Sequence, residues 1–134
     1  MMRTLLLILF VSFGALAQNT IQVTDLLKIK SVGKPSFSPD GQKFLYTVTS
    51  VEDDPDTQGD FVYQTHLYVG DVATKTSLAM TAGRYSINGA NWSADGKSIL
   101  FTRDLGNKSQ VYQLSLVGGE ALALTNAKVS VQNP

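Results

Sequence analysis

The 134-residue sequence contains no cysteine, one histidine and one tryptophan, with balanced charge: eleven Lys+Arg against eleven Asp+Glu. Without cysteine there are no disulfides, no thiolate metal sites and no lipid attachment through a thiol. A single histidine, His66, cannot build a zinc site, and no serine or cysteine stands in a nucleophile motif for it to activate. There is no Gly-x-Ser-x-Gly elbow, no phosphate-binding glycine loop and no metal-ligand cluster. These absences predict a chain without catalytic residues, metal or cofactor. The balanced charge excludes the basic stripe that a nucleic-acid or anionic-membrane partner requires. Long apolar runs are also missing. The longest, Leu5 to Phe13, is too short to span ~30 Å of hydrocarbon.

That run reads instead as a secretory leader. Arg3 precedes it, and Ala15-Leu16-Ala17 supplies the small-x-small cleavage pattern, so residues 1–17 are predicted to be removed after Ala17. The mature chain would run from Gln18 to Pro134, 117 residues with a net charge of about −1 once Arg3 is lost. It is predicted to be secreted or periplasmic, with no membrane contact after cleavage. Residues 18–30 form a lead-in: Thr24-Asp25-Leu26-Leu27-Lys28-Ile29 reads as a short helix, with Thr24 as its cap and Asp25 at the positive end of its dipole. Leu26, Leu27 and Ile29 give it an apolar side.

What the sequence does have is an internal repeat. Phe37-Ser38-Pro39-Asp40-Gly41 followed by Phe44-Leu45-Tyr46-Thr47 matches Trp92-Ser93-Ala94-Asp95-Gly96 followed by Ile99-Leu100-Phe101-Thr102, at an offset of 55 residues. Leu67-Tyr68 then matches Val111-Tyr112, and Leu78-Ala79-Met80-Thr81 matches Leu122-Ala123-Leu124-Thr125, at an offset of 44. The 11-residue difference places an insertion in the first copy between Thr47 and Leu67, read as an enlarged loop. Each copy predicts four short strands. The first approaches the Ser-Pro-Asp-Gly turn, where proline presets the backbone, aspartate bonds local amides and glycine exits. The second (Phe44 to Val48, Ile99 to Thr102) looks buried on both faces. The third (Leu67 to Val72, Val111 to Leu116) alternates, and a turn leads to the fourth.

Four-stranded units at this spacing are the pattern of β-propeller blades. The expected fold is all-β: two four-stranded antiparallel blades of an incomplete β-propeller, over residues 31–82 and 83–127. Val131 and Pro134 lie 99 positions after Val32 and Pro35, so residues 128–134 read as the start of a third blade. Two blades cannot close a ring, so further blades are expected to complete it, and the outer face of the second sheet is expected to expose side chains of Ile99-Leu100-Phe101.

Several candidate sites compete with plainer readings. Ser38, Pro39, Asp40 and Gly41, with Ser93, Asp95 and Gly96, recur once per copy, which makes Asp40 and Asp95 turn-building rather than paired catalytic carboxylates. The acidic stretch from Glu52 to Asp60 places Asp54, Asp56, Gln58 and Gly59 like the opening of a calcium loop. Its twelfth position is Thr65 where a bidentate glutamate is needed, so a solvated loop is expected. Ser31-Val32-Gly33-Lys34 matches a Ser-x-x-Lys pattern without its companion motifs. Asn91-Trp92-Ser93 and Asn107-Lys108-Ser109 are formal glycosylation sequons, the former in a strand expected to be buried. His66 is expected to be a half-exposed strand residue.

Taken together, the "DLL" helix of Asp25-Leu26-Leu27, Val32 and Pro35, the Phe37-to-Gly41 turn, Phe44-Leu45-Tyr46, His66-Leu67-Tyr68-Val69 and the closing Leu124-Thr125 resemble the opening of secreted prolyl oligopeptidase family serine peptidases, in their dipeptidyl- and acylaminoacyl-peptidase branch. Ala94 departs from the usual proline. The resemblance implies a propeller that gates an α/β-hydrolase domain lying beyond these residues, with short peptides as substrates of the whole protein. No catalytic residue of that family has a counterpart here. Propellers of the Tol system share the blade motif, so the alternative is a secreted or periplasmic binding scaffold without enzymatic activity.

Overall fold

The computed structural model describes residues 21–131 and Pro134. The leader read at residues 1–17 lies outside them. A 3-10 helix of six residues, Val23–Lys28, comes first and rests beside the strand that follows the Ser-Pro-Asp-Gly turn. Its cap is Gln22 rather than Thr24: the Gln22 N–H donates to Asp25 Oδ2 at 2.8 Å, and Lys28 Nζ donates to Asp25 Oδ1 at 2.7 Å. Thr24 falls inside the helix because Asp25 bonds back to Gln22 and so sets the cap two residues earlier than the sequence suggested. Leu26 and Ile29 stay largely exposed.

Two antiparallel sheets follow. The first holds β1 (Ser31–Val32), β2 (Ser36–Phe37), β3 (Lys43–Asp53), β4 (Phe61–Asp71) and β5 (Ser77–Ala79), in the order β1-β3-β4-β5 with β2 also on β3. β1 and β2 are one strand interrupted at residues 33–35, where Pro35 has no N–H to donate. The second sheet holds β6 (Ile87–Trp92), β7 (Ser98–Asp104), β8 (Ser109–Ser115) and β9 (Leu122–Ala123), in that order. With β1 and β2 counted as one strand, each is a meander in which sequence neighbours pair.

The insertion builds strand rather than loop. β3 and β4 pair over eleven rungs, Lys43 with Asp71 through Asp53 with Phe61, whereas β7 and β8 pair over seven. Four extra rungs take up eight of the eleven inserted residues, and growth of the tip from residues 105–108 to residues 54–60 takes the other three. The sequence concealed this because Glu52 and Asp53 are poor strand formers. Cross-strand pairing holds them in place, including the Thr49–Thr65 hydroxyl bond at 2.9 Å.

The core lies between the sheets. Leu45, Leu67 and Val69 project from the first onto Ile87, Ile99, Phe101 and Leu114 of the second. Leu67, Ile87, Ile99 and Phe101 are wholly buried, each contributing about 1.5–3 kcal/mol. Ile99 and Phe101 therefore turn inward, and only Leu100 of that trio is left for the far face of the second sheet. The period-2 alternation of a strand requires this: residues 99 and 101 share one face and 100 the other. β7 is buried on both faces as expected, but β3 has Leu45 as its one fully buried residue. Its other face carries a ladder of rings, Phe37–Phe44–Tyr46–Tyr68, with successive centroids 6.1, 5.8 and 5.4 Å apart. Phe44 lies over Gly70, where any Cβ would overlap the ring. The repeat counterpart of Tyr46–Tyr68 is Phe101–Tyr112. The same stacked pair is inside at the second sheet and outside at the first.

Candidate functional site

The two Ser-x-Asp-Gly turns are superimposable in their bonding. Ser38 Oγ donates to Asp40 Oδ1 at 2.6 Å and accepts from the Lys43 N–H at 2.9 Å. Ser93 Oγ donates to Asp95 Oδ1 at 2.6 Å and accepts from the Ser98 N–H at 3.0 Å. Asp40 and Asp95 then accept from the Gln42 and Lys97 amides. The serine hydroxyls, and next these amides, hold both carboxyls below their ordinary range. Gly41 and Gly96 adopt φ of 69° and 67°, a left-handed backbone that disfavours other residues. Pro39 packs beside Gly96, so the turns are neighbours, but the hydrogen bonds of each serine–aspartate pair stay within its own turn.

His66 sits on β4 opposite Val48, among the residues of the aromatic face, and is 9% exposed rather than half-exposed. Its Nε2 is 3.8 Å from Glu52 Oε1, too long for a hydrogen bond, and its Nδ1 is buried with no partner. The sequence reading missed this burial because the lengthened hairpin brings Glu52 and Val62 past the histidine. Ser31 lies on the edge strand β1 opposite Thr49, and Gly33 donates to Thr47 O at 2.8 Å. Lys34 is exposed, so Ser31 and Lys34 are parts of a strand edge. Asn91 is exposed, contrary to the burial expected of its strand, and donates to Pro134 O at 3.1 Å. Asn107 is exposed at the β7–β8 tip.

The acidic stretch divides between strand and tip. Asp54 Oδ1 accepts from the Asp56 amide, Asp56 pairs with Arg84, and Thr65 bonds Thr49. Among the described residues no group of carboxylates or histidine is arranged to hold a metal ion. The two hairpin tips flank a cleft of about 290 Å³, lined by Asp54, Asp56, Gln64, Arg84, Ser86 and Asp104 among others. This cleft gathers charged and hydroxyl groups from both sheets, and the Asp56–Arg84 pair crosses it.

One repeated residue escaped the sequence reading. The Thr65 N–H donates to Ser86 Oγ at 3.1 Å, and the Ser109 N–H donates to Ser130 Oγ at 3.1 Å. Ser31, Ser86 and Ser130 stand at the same offsets as the matched turns and strands, a signal available from spacing alone. Likewise the Leu67 and Val111 amides donate to Thr81 and Thr125 Oγ1. Residues 128–131 lie against the second sheet as residues 84–87 lie against the first.

This meander-on-meander stacking, repeated with the same internal bonds, defines the chain as part of a β-propeller. The crystal structure of TolB from Acinetobacter baumannii aligns with a TM-score of 0.51 and 28% identity, over 73% of this chain and 22% of that one. In sequence the chain is 30% identical over 118 residues to a Bacillus subtilis (strain 168) protein named uncharacterized peptidase YuxL, covering 87% of this chain. The chain spans 17% of that relative's length. No protein-family model matches the sequence. The chain is thus a propeller segment related to a peptidase-named protein.

Proposed function

We propose that this segment is the leading part of a propeller that frames access to the catalytic domain of an exported serine peptidase of the prolyl oligopeptidase type. The observation that carries the proposal is the 30% identity, over 118 residues, to a protein named as a peptidase. The lead-in Asp25-Leu26-Leu27 and the Phe37-to-Gly41 turn support it, since both resemble the opening of that family. In this reading peptide hydrolysis belongs to residues outside the 134, and these blades contribute wall and rim. In this reading His66, 3.8 Å from Glu52 Oε1, has no catalytic role.

A second reading is a secreted or periplasmic propeller scaffold or binding protein of the Tol-system type without enzymatic activity, since the fold shared with TolB does not fix function. The deciding experiment reads the gene beyond codon 134 and assays the encoded protein with aminoacyl and dipeptidyl chromogenic substrates. A frame that reaches Gly-x-Ser-x-Gly, with turnover lost on replacing its serine, is the expected result. A frame that ends after further blades, with no turnover, would establish the scaffold instead.

A further inference from the structure

Arg103 on β7 has no ion-pair partner among the described residues. Its Nε is sealed from solvent without an acceptor. The guanidinium carbon lies 4.8 Å from the Tyr112 ring centroid and 5.8 Å from that of Phe101, so two rings hold the group on the inter-sheet side. Beside it is a cavity of about 360 Å³ between the last strand of the first sheet and the β8–β9 turn, lined by Met80, Thr81, Arg103, Leu114, Glu120 and Ala121 among others. A part-buried cation with one unmet buried donor, Nε, and no counter-charge is stabilised when an anionic acceptor arrives. The guanidinium fork matches a carboxylate in two parallel hydrogen bonds. Met80, Leu114 and Ala121 add a smaller apolar part to a lining that is mostly polar, which suits a short acid rather than a long hydrocarbon chain. The exposed Glu120 carboxylate at the rim repels multiply charged anions and leaves a singly charged one favoured.

We propose that this cavity binds a small carboxylate through Arg103, either a free short-chain acid or the carboxyl terminus of a short peptide. The site belongs to the two sheets themselves and does not depend on the peptidase reading. The protein encoded by the complete reading frame, labelled with nitrogen-15, is titrated with butyrate, with N-acetyl-dialanine and with the C-terminal amide of that peptide. Saturable shifts around residues 80–82, 103 and 119–121 are expected with one or both acids and none with the amide. Response to butyrate alone identifies a free acid as the ligand class, and response to both admits a peptide terminus. Arg103→Gln should weaken binding by roughly tenfold or more, the factor associated with a charge-assisted hydrogen bond. Arg103→Lys, which keeps the charge, should fall between, and Glu120→Gln should bind as well as the parent or better. No saturable response from the parent, equal response to acid and amide, or undiminished binding by Arg103→Gln would overturn the proposal.

Discussion

At the scale of single residues, carboxylates do most of the turn-making. Asp71 accepts from the amides of Ala73 and Thr74, from Thr74 Oγ–H and from Lys43 Nζ at 2.9 Å. The Thr74 amide, and then Lys43, drive its pKa far below the usual range. Asp25, Asp40 and Asp95 are also lowered, by Lys28, Ser38 and Ser93 respectively in first place. A group whose folded pKa lies below its unfolded value adds stability that is present above the unfolded value and lost as pH falls through the folded one. The denaturant midpoint should therefore hold steady from neutrality down to about pH 5 and decline below about pH 4. Asp71→Asn should lower the neutral plateau and flatten the acid decline, as followed by circular dichroism in urea. An acid decline of unchanged slope in that variant would refute the assignment of Asp71 as a principal contributor. Lys75 closes the same turn at φ 56°, where the second copy places Gly119. The first copy thus tolerates a left-handed lysine, and the four acceptor contacts of Asp71 over-determine that backbone.

At the scale of elements, the repeat frame made the strands, their order and the two Ser-x-Asp-Gly turns legible. Those features depend on local chemistry: turn residues at fixed spacing and β-branched or aromatic runs. The lengthened hairpin was not legible. Residues 52–60 are polar and acidic and hide the strand ends there, although Phe61-Val62-Tyr63 is a run of strand formers that marks the start of the returning strand. Arg103 carries no motif either, since its importance comes from a cavity that only the second sheet's docking creates. The hairpin extension bonds to its surroundings through the Gln64–Arg84 O contact at 3.0 Å, the Thr65–Ser86 contact and the Asp56–Arg84 pair. Replacing residues 50–64 with the four residues 105–108 of the second copy removes the first and third of these and the Ser86 Oγ bonds to Tyr63 O and Gln64 Oε1, and keeps the second. Stability should fall by about 2–3 kcal/mol, the worth of a few side-chain hydrogen bonds and an exposed ion pair, with the sheet spectrum retained. Denaturant melting checks this, and a loss of the folded baseline would show that the extension is required for the first sheet to form.

At the scale of the whole molecule, the two sheets are stacked head to tail, so each exposes a different kind of face. The far face of the second sheet carries Leu100, Thr102, Val111 and Gln113, of which Thr102 and Val111 are already buried at 3% and 8% exposure. The free face of the first sheet is the counterpart of the surface that the second buries inward, and it is richer in rings. Phe37 is 63% exposed there, and an adjoining apolar hollow of about 480 Å³ is lined by Pro35, Phe37, Phe44 and Val72 among others. Exposed apolar surface of this kind drives association, and a head-to-tail interface need not close on itself. Repeat architectures also need about three units for independent stability. Residues 18–134 expressed alone should therefore self-associate or fold incompletely, and the association should run through the first sheet. Phe37→Lys with Tyr46→Lys should shift the population toward monomer more strongly than Leu100→Lys, measured by size-exclusion chromatography with light scattering across concentration. A monomeric parent with a cooperative melt would contradict the prediction outright. Stronger relief from Leu100→Lys would instead place the contact on the second sheet, where the buried Val111 and Thr102 leave little apolar surface to drive it.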